Sequence, residues 1–95
     1  MCKENFKKMK KRLIELRQEM ERLGPVMRGS VVYIGTRNKQ YYFSLNKDKK
    51  TKLIYLGNKR VERARICSNN YMKLLEIIEE MTDINMKLIK NNVEF

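Results

Sequence analysis

The chain has 95 residues, a formal net charge of +11 and no histidine. A chain of this length forms one small domain, so we expect a single domain over residues 1–95. No apolar run approaches the roughly 18 to 20 residues that cross a bilayer, so no contact with a membrane is expected. Without histidine the chain lacks the commonest general base and the commonest metal ligand. We therefore expect a protein that is not an enzyme and that uses no cofactor and no metal.

The N-terminal segment and the cysteines indicate the compartment. Residues 1–8 carry positive charge, but no apolar stretch follows them, so no secretory signal is predicted. Cys2 and Cys67 lie too far apart in the sequence to predict a disulfide framework or a zinc site. A cytoplasmic protein is expected.

Positive charge is concentrated in the middle of the chain. Residues 28–65 hold eleven Lys and Arg against only Asp48 and Glu62, which leaves a net charge of +9. A surface of this kind repels copies of itself and attracts polyanions. The charge pattern therefore predicts a binding protein.

The first part of the chain is predicted to be a helix. Its apolar residues are three or four positions apart, at Phe6, Met9, Leu13, Leu16, Met20 and Leu23. This spacing places one apolar stripe on an amphipathic helix over about residues 4–23. Gly24 and Pro25 end the helix, because glycine suits the C-terminal cap and proline removes a backbone donor.

The next segment changes to the period of two that is typical of strands. Residues 30–34, 40–45 and 51–56 are β-rich, and polar turns separate them at 35–39 and 46–50. Tyr41, Phe43 and Leu45 alternate onto one face of the middle strand. Short connections favour antiparallel pairing, so a three-stranded meander is predicted over about residues 29–57.

A second long helix is predicted over about residues 59–90, with Asn58 as its N-cap. Cys67, Leu74, Met81 and Leu88 recur every seven residues. Poor helix formers at 67–70 leave open whether the helix is broken there. The four carboxylates of this helix are interpreted as a solvated face: Glu76, Glu79, Glu80 and Asp83.

The expected fold class is α+β, with a long N-terminal helix, a three-stranded antiparallel β-meander and a long C-terminal helix packing on the first. A three-stranded sheet cannot shield its own apolar face. The helical stripes have similar lengths, so they either pack on each other as an antiparallel hairpin or pair with a second subunit as a homodimer.

Basic side chains at the two turns and at the start of the second helix are the predicted nucleic-acid ligands. Arg forks match phosphate geometry, and helix N-terminal amides add donors. The predicted phosphate contacts are Arg37, Lys39, Lys47, Lys49, Lys50, Lys52, Lys59, Arg60, Arg63 and Arg65. Tyrosines that face outward stack on bases, and the candidates are Tyr33, Tyr42 and Tyr55.

Residues 23–30 read Leu-Gly-Pro-x-x-x-Gly-Ser, and a Tyr-Tyr strand follows at 39–45. A third strand at 50–56 and an Asn-Tyr-x-x-Leu segment at 70–74 complete the order. This arrangement resembles a family of small uncharacterised domains associated with transposons and other mobile elements. Many members carry a cysteine-rich loop between the first two strands. Residues 35–39 contain no cysteine, so metal binding does not carry over.

The expected function is that of a small, non-catalytic, basic nucleic-acid-binding accessory protein of a phage or mobile element, with DNA or RNA bound through phosphates. The alternative is a protein–protein interaction module that meets an acidic protein surface, such as a phage-encoded inhibitor of a host defence nuclease.

Overall fold

The computed structural model describes residues 6–94. Its elements in chain order are helix α1 (Phe6–Arg22), strands β1 (Ser30–Ile34), β2 (Gln40–Lys47) and β3 (Lys50–Tyr55), and helix α2 (Val61–Lys90). The predicted α+β class is confirmed. Cys2 and the first two positions of the predicted N-terminal helix lie outside the described residues.

The chain forms two compact units, whose boundaries fall after residue 23 and between residues 72 and 73. The helical unit combines α1 with the part of α2 from residue 73 onward. The sheet unit consists of residues 24–72, and so contains the three strands and the first turns of α2.

The two helices of the helical unit run antiparallel. Arg22 at the end of α1 and the following Leu23 share a cleft with Lys73 and Ile77. Met9, near the start of α1, lines another cleft together with Ile84. The apolar stripe of α1 is buried at Leu16, which is 1% exposed. The predicted packing of the second helix on the first is therefore confirmed.

The sheet has the strand order β1-β2-β3, and both pairings are antiparallel. A two-residue turn joins β2 to β3, with φ angles of 53° at Asp48 and 63° at Lys49. Two successive positive φ angles give the turn a backbone twist that matches the twist of the flanking strands. The predicted meander is present.

The core of the sheet unit lies between β2 and the first turns of α2. Phe43, Leu56, Val61 and Ala64 are buried together. Tyr41 and two other apolar residues pack against this cluster. We call the face of the sheet that carries Phe43 the core face.

The second helix is continuous from residue 61 to 90, so no break occurs at 67–70. The helix begins at Val61, later than predicted. The amide of Ala64 donates to the carbonyl of Arg60, so Arg60 occupies the N-cap position. Asn58 lies in the preceding turn, and its prediction as N-cap was wrong.

The poor helix formers of α2 hold the segment that connects α1 to β1. Ser68 Oγ donates to the carbonyl of Gly29 at 2.9 Å, and Asn70 Nδ2 donates to that of Pro25 at 2.9 Å. The carbonyl of Cys67 accepts from the amide of Met27 at 3.1 Å. Tertiary bonds thus account for residue types that intrinsic helix propensity disfavours.

No helix within residues 6–94 is long and apolar enough to span a bilayer.

Candidate nucleic-acid interface

The two compact units differ sharply in charge. The sheet unit, residues 24–72, contains eleven Lys and Arg and two acidic residues, a net charge of +9. The remainder of the chain contains eleven Lys and Arg against nine acidic residues, a net charge of +2. The excess positive charge of the sequence therefore lies within one structural unit.

Six of the ten predicted phosphate contacts lie in the β1–β2 loop or in the chain that follows β3, and we call them the helix-start cluster. They are Arg37, Lys39, Lys59, Arg60, Arg63 and Arg65. Ile34 pairs with Gln40 at the loop, and the Leu56 amide donates to the Tyr41 carbonyl at 2.9 Å. The β1–β2 loop and the chain entering α2 thus meet at the same end of the sheet.

Arg60 has a structural role within this cluster. Its Nε donates to the carbonyl of Leu56 at 3.1 Å, and its Nη2 donates to that of Tyr55 at 2.8 Å. Because a guanidinium has five N–H donors, the remaining ones can still meet an anion. Lys59 and Arg63 are exposed neighbours and are the cleaner positions for testing charge alone.

Arg65 is tied to the sheet through an aromatic ring. Its guanidinium carbon lies 5.7 Å from the ring centroid of Tyr41, a cation–π geometry. Tyr33 packs on the same ring, with centroids 4.6 Å apart and an interplanar angle of 42°. Tyr41 therefore positions both a cation and an exposed aromatic side chain.

The other four predicted phosphate contacts lie at the opposite end of the sheet, and we call them the turn cluster: Lys47, Lys49, Lys50 and Lys52. They surround the β2–β3 turn. The eight residues of β2 separate the two clusters by about 23 Å at a rise of roughly 3.3 Å per residue. The predicted surface is thus two patches along one sheet.

The three predicted stacking tyrosines occupy both faces of the sheet. Tyr33 pairs with Tyr41, which shares the core face with Phe43. Tyr42 and Tyr55 pair with each other on the opposite face, with rings 5.7 Å apart in an edge-to-face arrangement. A single platform of all three is excluded by this alternation.

An open cleft adjoins the turn cluster on the core face, and we call it the β3 cleft. Its volume is about 650 Å³. Apolar lining on the core face comes from Met27, Phe43, Leu45 and Ile54, and cationic lining from Arg28, Lys47 and Lys52. Leu53, which belongs to the opposite face, also borders the cleft at the edge strand. Among residues 6–94, no carboxylate lines the cleft.

Sequence reasoning did not assign Arg28 or Tyr41 to the surface. Arg28 Nη1 donates to the carbonyl of Asn46 at 2.9 Å, which brings a residue from before β1 to the end of β2. The only sign in the sequence that Arg28 belongs to the basic surface is its position within the basic segment 28–65. Strand periodicity places Tyr41 on one face of β2. It cannot predict the contact with Arg65, because that contact depends on the packing of α2 against the sheet.

Within residues 6–94 no group of three or more Cys, Asp or Glu side chains comes together as a set of metal ligands.

Comparisons with protein-family models, with curated proteins and with solved structures give no match to this chain.

Proposed function

We propose that this chain is a non-catalytic nucleic-acid-binding protein that acts through its sheet unit. The observation that carries the proposal is the concentration of a net charge of +9 in residues 24–72. Because DNA and RNA are polyanions with condensed counterions, a patch of this kind gains affinity by releasing those ions. The resemblance to domains of mobile elements supports a role as an accessory protein of a phage or mobile element.

The helix-start cluster is the proposed centre of phosphate contact. Lys59, Arg63 and Arg65 lie around the beginning of α2, and Arg37 and Lys39 lie on the loop at the same end of the sheet. The first-turn amides of a helix point outward and favour anions. Arg forks and these donors together match phosphate oxygens.

The turn cluster extends the positive field along the sheet. Two patches about 23 Å apart correspond to roughly seven base steps at 3.4 Å each. Phosphate contacts of this type position a duplex or a single strand without reading its sequence. We therefore propose salt-sensitive binding with little sequence preference.

The test is a salt titration of binding to four fluorescent oligonucleotides: single- and double-stranded DNA and RNA. We expect log Kd to rise linearly with log salt for at least one of them. Neutralising about five phosphates predicts a slope of roughly four to five. Absence of binding to all four at low salt would overturn the proposal.

A further inference from the structure

Strand β3 is an unprotected edge of the sheet. It has a partner on one side, β2, and none on its other side within residues 6–94. Every residue from Lys50 to Tyr55 is exposed. Its apolar members are 47% exposed at Leu53, 56% at Ile54 and 50% at Tyr55.

The backbone groups that point away from β2 follow from the register. The Leu56 amide donates to Tyr41, and bonded pairs alternate along an antiparallel ladder. The amides of residues 56, 54, 52 and 50 therefore face β2, and those of Thr51, Leu53 and Tyr55 face outward. The Tyr55 carbonyl accepts from Arg60, but Leu53 presents both its amide and its carbonyl at the free edge.

The charges beside this edge disfavour a second copy of the chain. Lys52 lies on the core face of the edge strand, and an inward-pointing charge is a device that blocks edge-to-edge pairing of like strands. Arg28 and Lys47 line the same cleft, so a second sheet unit would bring further cations against them. The same three cations attract carboxylates.

We infer that the β3 edge binds an extended acidic peptide segment of a partner protein as an added fourth strand. Alternate peptide residues would face the two sides of the sheet. Acidic side chains on the core-face side would lie beside Lys52, Lys47 and Arg28. Apolar side chains on the other side would cover Leu53 and Tyr55. This site is separate from the helix-start cluster, and the inference does not depend on nucleic-acid binding.

The test uses a short fluorescent peptide that alternates Glu and Val, titrated with the wild-type chain and with two Leu53 variants. Leu53→Pro removes the outward amide without removing a bond to β2, and proline is tolerated at such edge positions. Leu53→Ala is the matched control, because it trims the side chain but keeps the amide. We expect Leu53→Pro to weaken peptide binding about tenfold, and Leu53→Ala to weaken it less than about threefold.

The fold of each variant is checked by thermal melting and by circular dichroism, neither of which depends on nucleic-acid binding. Two further peptides, N-methylated on the odd or on the even residues, test the same bonds on the unaltered protein. One of the two should lose binding, since one set of amides faces β3. If both N-methylated peptides bound as tightly as the unmethylated peptide, the inference would be overturned.

Three other outcomes would also overturn it. A peptide with the same Glu and Val grouped in two blocks would bind equally well if charge alone were responsible. Concentration-dependent self-association that Leu53→Pro abolishes would assign the edge to a second copy. An oligonucleotide whose affinity falls with Leu53→Pro but not with Leu53→Ala would assign it to nucleic acid.

Discussion

Arg12 of α1 forms a two-pronged ion pair with Glu80 of α2, through Nε at 2.6 Å and Nη2 at 3.0 Å. Glu15 and Glu19 also lie within ion-pair distance of Arg12. Both partners are part-exposed. Glu80 is therefore an exception to the solvated acidic face that the sequence suggested, and it links the two helices of the helical unit.

This pair predicts a pH dependence of stability. The hydrogen bonds from Arg12 hold the pKa of Glu80 below its ordinary value of 4.5. A carboxyl whose pKa is lowered by folding stabilises the fold above its unfolded pKa, and that contribution is lost as the pH falls through the lowered folded pKa. Glu80→Gln should lower the thermal midpoint slightly at pH 7, and its difference from wild type should shrink below about pH 4.5. A difference that does not change with pH would contradict the assignment.

The apolar stripe of α1 predicts a second, larger effect. Leu16 is 1% exposed, so Leu16→Ala should reduce the free energy of unfolding by about 2–5 kcal/mol. Ile14 lies on the same helix at 59% exposure, and Ile14→Ala should change it by no more than about 0.5 kcal/mol. Urea unfolding measures both. Equal losses would show that α1 is not packed through Leu16.

Gly29 predicts a backbone effect in the sheet unit. Its φ is 143°, and a Cβ there would lie 2.6 Å from the Ser44 carbonyl oxygen and 2.7 Å from the Phe43 ring. Gly29→Ala should therefore destabilise the protein by more than about 1 kcal/mol. The control is Gly24→Ala, because the nearest atom there is the side-chain nitrogen of Asn70 at 3.1 Å. Chemical unfolding should show a larger loss of stability for Gly29→Ala than for Gly24→Ala, and a larger loss for Gly24→Ala would contradict the geometry.

The helix-start cluster predicts a specific change in salt dependence. Removing the charges of Lys59 and Arg63 with Lys59→Gln and Arg63→Gln should lower the salt slope of oligonucleotide binding by roughly two. The control is Lys10→Gln with Arg17→Gln, which removes the same side-chain types from the helical unit. Its salt slope should differ from the wild-type slope by no more than about 0.5. Fluorescence anisotropy at several salt concentrations measures the slope. Equal changes in the two double variants would indicate that net charge matters and position does not.

Local pattern was sufficient to predict the elements. The spacing of Phe6, Leu16 and Leu23 follows the helical repeat, and Tyr41 and Phe43 follow the strand repeat, because each periodicity reflects one buried face. The polar turns at 35–39 and 46–50 were also predictable, because turn residues act through local backbone conformation. The meander and both helices therefore have a physical basis in residues close together in the sequence.

Features that depend on distant residues were not predictable. Arg12 and Glu80 are 68 positions apart, and the pattern of each helix alone gives no sign that the two side chains meet. Ser68 and Asn70 looked like a helix break, because local propensity contains no information about the carbonyls that they reach. The ten predicted phosphate contacts fall within residues 37–65 of the sequence, and antiparallel pairing places them at two ends of the sheet.

The bonds that hold the connector before β1 also bear on the order of folding. Each hairpin joins residues close in sequence, but Ser68 and Gly29 are 39 positions apart, and Asn70 and Pro25 are 45 apart. Closing a loop of that length costs chain entropy before any contact repays it. The meander should thus form early and the connector should dock late. Loss of the Ser68 hydroxyl would then accelerate unfolding and leave the folding rate nearly unchanged.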